Sequence, residues 1–226
     1  MQAFISVNGA AVAVLRANVD TDIIIRIDRL TSIAQDQLGP YAFEALRSLP
    51  DGSPDPAFGP NQPAFRDAPV LLAGANFGCG SSRESAVWAL QAMGVRCVIA
   101  PSFGDIFANN CYQNGVLPLV LPAAQLDQLA AHAADGSAVT VDLRDCTISA
   151  AGGWQATFAL DPLRRASLLA GLDEIGLTLL HDARIQAWQL ADRASRPWIW
   201  QLDHLPYGRV QTSKPVQPST PLEPSC

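Results

Sequence analysis

A chain of 226 residues is long enough for one medium domain or two small ones with a working core. With 49% hydrophobic and 16% charged residues it should be globular over most of its length, and a net charge of −6 with no Lys/Arg cluster argues against a nucleic-acid surface. No apolar run approaches the ~18 residues of a membrane span, and the amino-terminal stretch MQAFISVNGAAVAVLRANVD lacks the basic start of a signal peptide, so a soluble cytoplasmic protein with no membrane partner is expected.

In chain order, FISVNG and AAVAVLR read as two short strands joined at Asn8-Gly9, a dipeptide suited to a hairpin turn. NVDTDIII leads into a polar stretch and then LGPYAFEALR, a helix-like segment. Residues 50–66 carry five prolines and predict an extended loop without a regular element. PVLLAGA is an apolar run suited to a buried strand, and a glycine-rich turn, NFGCGSS, follows it. RESAVWALQAMG then predicts a helix, with Val87 and Leu90 on its apolar face and Gly94 placed to end it. VRCVIAP is the next strand, which completes a parallel, right-handed βαβ unit. A further apolar strand, VLPLVL, comes after the short segment SFGDIFANNCYQNG.

Beyond residue 136 the pattern changes to alternation with period two. AVTVDL and CTISA flank Arg144-Asp145, and GGWQATFAL alternates again, which predicts antiparallel pairing. Asp161-Pro162 forms a helix-start signal for PLRRASLLAG, and Asp182 is placed to cap ARIQAWQLADRA. One α/β domain over 1–205 is expected, followed by a disordered tail rich in Pro, Ser and Thr over 206–226.

Five cysteines (Cys79, Cys97, Cys111, Cys146, Cys226) and three histidines are widely scattered, without a C-x-x-C pair. Neither a disulfide framework nor a metal site within this chain is expected. The densest set of reactive side chains is NFGCGSSRE, residues 76–84. A loop between a parallel strand and a helix is where α/β folds receive anions. Gly78 and Gly80 permit positive φ and close approach, first-turn N–H groups favour negative charge, and Arg83 offers a planar fork for a carboxylate. A small carboxylic acid or a phosphate is the implied ligand class. The plainer alternative is a glycine turn with serine caps. Walker A, G-x-G-x-x-G and G-x-S-x-G spacings are all absent. Cys79 as a nucleophile lacks an evident activating histidine and is assigned to packing.

Four motifs in order, NVDTDIII, ANFGCGSSRESAVWAL, APSFGDIFANN and GLDEIGLTLLHD, resemble those of the 3-isopropylmalate dehydratase small-subunit family, from about residue 3 to 195. The resemblance implies the swivelling β/β/α domain of aconitase, supplied as a separate chain. It implies a large-subunit partner carrying a [4Fe–4S] cluster, no cofactor bound by this chain, and dehydration and rehydration of a hydroxy-dicarboxylic acid. It further implies Ser81 as an alkoxide base, Ser82 and Arg83 as holders of substrate carboxylate, and Glu84 as a residue orienting Arg83 or capping the helix. Asp20, Thr21 and Asp22 match the family's D-T-D, either bracing a turn or touching substrate; Phe103, Asn109 and Asn110 shape the site.

Departures from the family pattern cluster near the presumed substrate side chain. Arg26, Ile27, Asp28, Arg29 and Leu30 stand where Pro, Lys, a variable residue, an aromatic and Leu are usual. Ser85 replaces a His, and QDQLG replaces Arg-Thr-Gly-Phe-Gly. Arg26 and Arg29 are therefore added as candidate substrate-binding residues. Isopropylmalate is the first expectation; another substituted malate, such as methylmalate/citraconate or dimethylmalate, and a non-catalytic docking subunit are the alternatives.

Overall fold

The computed structural model of the protein describes residues 1–200. The tail expected over 206–226 and the boundary near 205 lie outside the described residues. A first compact unit spans Met1–Leu180 and a second begins at His181. Among the described residues no helix is long and apolar enough to cross a membrane.

The first strand, Ser6–Val14 (β1), is continuous, contrary to the turn expected at Asn8-Gly9. Its amino-terminal half pairs antiparallel with Ala138–Asp142 (β5), placing Asn8 opposite Thr140 and Gly9 opposite Val139. Its carboxyl-terminal half pairs parallel with Val70–Ala73 (β2). Ladder hydrogen bonds thus satisfy backbone groups that an isolated dipeptide would turn back on itself. Gly9 serves close approach instead: a Cβ there would lie 2.8 Å from the Pro69 ring.

β1 is the seam of a seven-stranded sheet ordered β4-β3-β2-β1-β5-β6-β7. On one side are the parallel strands β2, Cys97–Ala100 (β3) and Leu117–Val120 (β4). On the other are the antiparallel β5, Thr147–Ala150 (β6) and Gln155–Thr157 (β7), as the period-two pattern predicts. The Arg144-Asp145 turn is held by Asp142, whose carboxylate accepts from both backbone N–H groups, at 2.7 and 3.0 Å.

Every residue of β2 and β3 is buried, because helices cover both faces. Val12, Val14, Leu71, Ala73, Val98 and Ala100 point to one face, against Ser85–Ala92 (α3) and Asp105–Asn114 (α4). Ala11, Val70, Leu72, Cys97 and Ile99 point to the other, against Ala123–Ala133 (α5) and Pro162–Ala170 (α6). The alternation is the strand period of two made visible as two cores.

The βαβ unit β2–α3–β3 stands as expected, and Gly94 follows the end of α3 with φ +98°. The segment SFGDIFANNCYQNG holds a full helix, α4; its sequence DIFANNCYQN buries just Phe107 and Cys111, too few apolar positions for a legible helical stripe. LGPYAFEALR does not form one helix. A 3-10 turn at Gly39–Tyr41 and a one-turn helix, Glu44–Arg47 (α2), are separated by Phe43 with φ +59°, which puts its ring in the core. The proline-rich 50–66 stretch contains 3-10 turns at Gly59–Asn61 and Pro63–Phe65, where proline's fixed φ suits the first turn.

Asp161 caps α6 by accepting from Leu163 and Arg164 N–H, and Asp173 caps Glu174–Leu179 (α7). In the second unit the helix Asp182–Ser195 (α8) starts one residue earlier than expected, so Asp182 is its first residue and His181 stands at the cap position. Asp192 there accepts from Trp200 Nε1 at 2.9 Å and Arg196 Nε at 2.7 Å, and these bonds, the tryptophan's foremost, hold its carboxyl below the usual carboxylate range.

Candidate functional site

Strands β1, β2 and β3 are parallel, so their carboxyl ends emerge side by side. Backbone hydrogen bonds continue past the strands and stitch the three following loops together. Asn18 N–H donates to Ala75 carbonyl (2.9 Å), Gly78 N–H to Val19 (2.8 Å) and Thr21 N–H to Cys79 (3.0 Å). Phe77 N–H donates to Ser102 (3.1 Å) and Gly104 N–H to Phe77 (2.9 Å). The motifs NVDTDIII, NFGCGSSRE and SFGD, far apart in the chain, become one surface.

Gly78 shows why the middle loop needs glycine. Its φ is +70°, and a Cβ would sit 2.2 Å from the Phe107 ring, itself stacked on Phe103 with centroids 6.3 Å apart. Phe103 thus shapes the floor of the loop. Gly80, with φ +92°, lifts the chain outward, and Ser81 and Ser82 are exposed. The backbone N–H groups from Gly80 to Ser85 donate to no described residue. The last of them opens α3 at Ser85, where unsatisfied donors and the helix dipole favour an anion.

The three D-T-D residues have three distinct positions. Asp20 caps the short helix Thr21–Ile24 (α1) by accepting from Ile23 N–H at 2.8 Å. Thr21, fully buried, donates from Oγ1 to the Ser81 carbonyl at 3.2 Å. Asp22 forms an ion pair with Arg83 Nη1. Bracing accounts for the first two, and the third faces the candidate site.

Glu84 does not orient Arg83. It stands at the cap position of α3 without a side-chain capping bond, and its Oε1 accepts from Asn114 Nδ2 at 2.7 Å. Asn114 also accepts from Trp88 Nε1 at 3.2 Å, so this one side chain at the end of α4 ties down the first turns of α3. Sequence reading missed it, because Asn114-Gly115 carries only a turn signal. Asn109 points elsewhere, accepting from Arg164 Nη2 at 2.8 Å, while Asn110 has a buried Nδ2 without a partner among the described residues.

Arg26 and Arg29 belong to a different cluster among the described residues. Arg26 pairs with Asp28 at 3.2 Å and is well exposed. Arg29 grips Glu44 through Nε (2.9 Å) and Nη2 and lies 4.8 Å over the Tyr41 ring. The bond from Arg29 holds the Glu44 carboxyl below its ordinary value. Neither arginine bonds to residues 81–83. Ser85, in the place of the family's His, is buried at the first position of α3.

No group of three or more His, Cys, Asp or Glu side chains among the described residues is placed to hold a metal ion. Burial pushes the Cys97 and Cys111 thiols up, which disfavours the thiolate a metal would need. Cys79 is half-buried and single. A cleft of ≈490 Å³ lies between α4, α6 and α7, and Ser81 is not among the residues that line it. The loop at 80–83 is an open surface.

Comparison with known proteins agrees with this arrangement. Residues 1–124 match the Aconitase C-terminal domain family. The 3-isopropylmalate dehydratase small subunits of Paramagnetospirillum magneticum and Paracoccus denitrificans are 47% and 45% identical over 201 residues, 88% of this chain and 100% of each relative. A solved 3-isopropylmalate dehydratase (LeuD) structure from Methanocaldococcus jannaschii is similar with a TM-score of 0.61 at 27% identity, over 81% of this chain and 99% of that one. A glycine-serine-arginine loop stitched to D-T-D, in a mixed sheet of this order, and identity at this level over full-length relatives lead to one statement: the chain belongs to the 3-isopropylmalate dehydratase small-subunit family.

Proposed function

We propose that this chain is the small subunit of a heteromeric hydro-lyase that interconverts 2-isopropylmalate and 3-isopropylmalate, a step of leucine biosynthesis, and that it acts only with a large subunit. The observation that carries the proposal is the match to the whole length of small subunits combined with an intact Ser81–Ser82–Arg83 loop whose two serines are exposed. Such a loop needs a second surface to enclose substrate.

Ser81 is assigned the base. Its alkoxide takes the proton from substrate carbon and the C–H electron pair forms the double bond; the hydroxyl takes a proton from a general acid assigned to the large subunit and departs as water with the C–O bonding pair, and rehydration reverses these movements. Serine is a feeble base in water, so the anion must be stabilised, and the unpaired N–H groups from Gly80 onward are suited to that. Ser82 and Arg83 are assigned the substrate carboxylates. Among the described residues no three Cys, His, Asp or Glu side chains are grouped to hold a metal, and the [4Fe–4S] group that the family resemblance implies is assigned to the large subunit.

Ser81→Ala in the reconstituted pair should lower kcat by about 10²–10⁴-fold or more with assembly retained. Undiminished turnover would remove the assignment. A second reading, action on another substituted malate, is favoured by the Arg29–Glu44 pair in the segment where the family pattern is lost. A substrate panel on the reconstituted pair decides between the two by kcat/KM.

A further inference from the structure

We infer that Asp22 is a positioning residue: it holds Arg83 by one nitrogen so that the opposite edge of the guanidinium faces a substrate carboxylate. The inference rests on the function proposed above.

Three observations support it. Arg83 donates to Asp22 Oδ1 through Nη1 alone, and no described residue accepts from its Nε or Nη2. In a planar guanidinium the Nε–H and Nη2–H bonds run parallel along the edge away from Nη1, and that edge is the bidentate fork carboxylates prefer. Asp22 therefore occupies the position that leaves this fork unused. The Arg83 side chain is only 18% exposed, so it has little room to find the orientation unaided.

The support beneath Asp22 is itself fixed. Asp20 caps the turn, Thr21 is buried and bonded to the Ser81 carbonyl, and Thr21 N–H is bonded to Cys79. Asp22 is thus set at a constant place relative to the assigned base. The other carboxylate adjacent in sequence, Glu84, is engaged by Asn114. A negative charge beside a dianionic substrate is unfavourable in itself. Orientation is what would offset it, and the amide Asp22→Asn, whose Oδ1 still accepts, separates the two effects.

The test uses the reconstituted pair and measures KM and kcat for wild type, Asp22→Ala, Asp22→Asn, Arg83→Ala and the Asp22→Ala/Arg83→Ala double variant. Because Arg83 grips substrate in ground and transition states alike, Asp22→Ala should act mainly on KM, with kcat/KM lower by about 10–100-fold. Asp22→Asn should stay within about threefold of wild type, and Asp22→Ala should add little once Arg83 is gone. An unchanged KM in Asp22→Ala, or effects that multiply in the double variant, would overturn the inference. Should Asp22→Ala fail to assemble, Asp22→Ser replaces it under the same criteria. The Arg83 side-chain ¹⁵N–¹H resonances of the full chain provide a readout free of activity: hindered Nη rotation in wild type and free rotation in Asp22→Ala are expected. If the wild-type pair does not turn over isopropylmalate, the proposed function fails while this signal still decides the role of Asp22; equal rotation in both proteins would overturn it.

Discussion

The parallel half of the sheet, β4-β3-β2-β1, and the antiparallel half, β1-β5-β6-β7, share a strand but end differently. Parallel strands need crossovers, so β1, β2 and β3 each release a loop at the same edge, and three sequence motifs meet there. The antiparallel strands return through short turns such as the one held by Asp142, and no candidate site residue sits on them. The same backbone hydrogen bonding that builds both halves gathers the candidate site residues at the edge of one of them. Position in the topology, more than composition, separates a candidate working edge from a supporting one.

That contrast can be broken experimentally, in decreasing order of effect. Ser81→Ala removes the assigned base on the working edge and should eliminate most kcat with assembly preserved; Ser149→Ala, on β6, should leave kcat/KM as it was. Equal losses in both would erase the distinction. Gly78→Ala comes next: the added methyl meets the Phe107 ring and the positive φ, so stability should drop by about 1–3 kcal/mol and activity should fall with it. A variant as stable and active as wild type would show that the loop has freedom the packing denies. Ile148→Val, fully buried in the antiparallel half, should lower stability by about 0.5–1.5 kcal/mol in denaturant titration while KM and kcat hold.

The smallest effect belongs to Glu44→Gln. Arg29 keeps the Glu44 carboxyl below its usual value, so the pair contributes fully above the unfolded glutamate value of about 4.3 and loses its contribution as pH falls through the folded one. The variant should flatten the acid limb of the stability–pH curve slightly, because the pair is a third exposed and screened by solvent. A steeper acid limb in Glu44→Gln than in wild type would contradict the sign.

The legible parts of the fold were those where local and tertiary preferences coincide. Apolar runs at 69–75 and 95–101 became β2 and β3, Asp161-Pro162 started α6, and Gly94 ended α3. Asn8-Gly9 misled because ladder partners on both sides outweighed its turn preference. Phe43 broke an apparent helix because its ring is more stable in the core than on a regular helical path. In the site, the glycine-serine-arginine loop was legible from its residue types. The partners of its members were not: Arg83 and Asp22 are 61 residues apart, and Glu84 and Asn114 are 30 apart.

The sequence by itself determined the class of fold and which loop carries reactive groups, because strand period, helix ends and glycine spacing are encoded locally, and four ordered motifs carried the resemblance to the family. Only the tertiary structure decided what D-T-D does, which carboxylate holds Arg83, and that Arg29 is joined to Glu44. Those are pairings between segments that the chain brings together only when the sheet closes, and short-range propensity has no bearing on them.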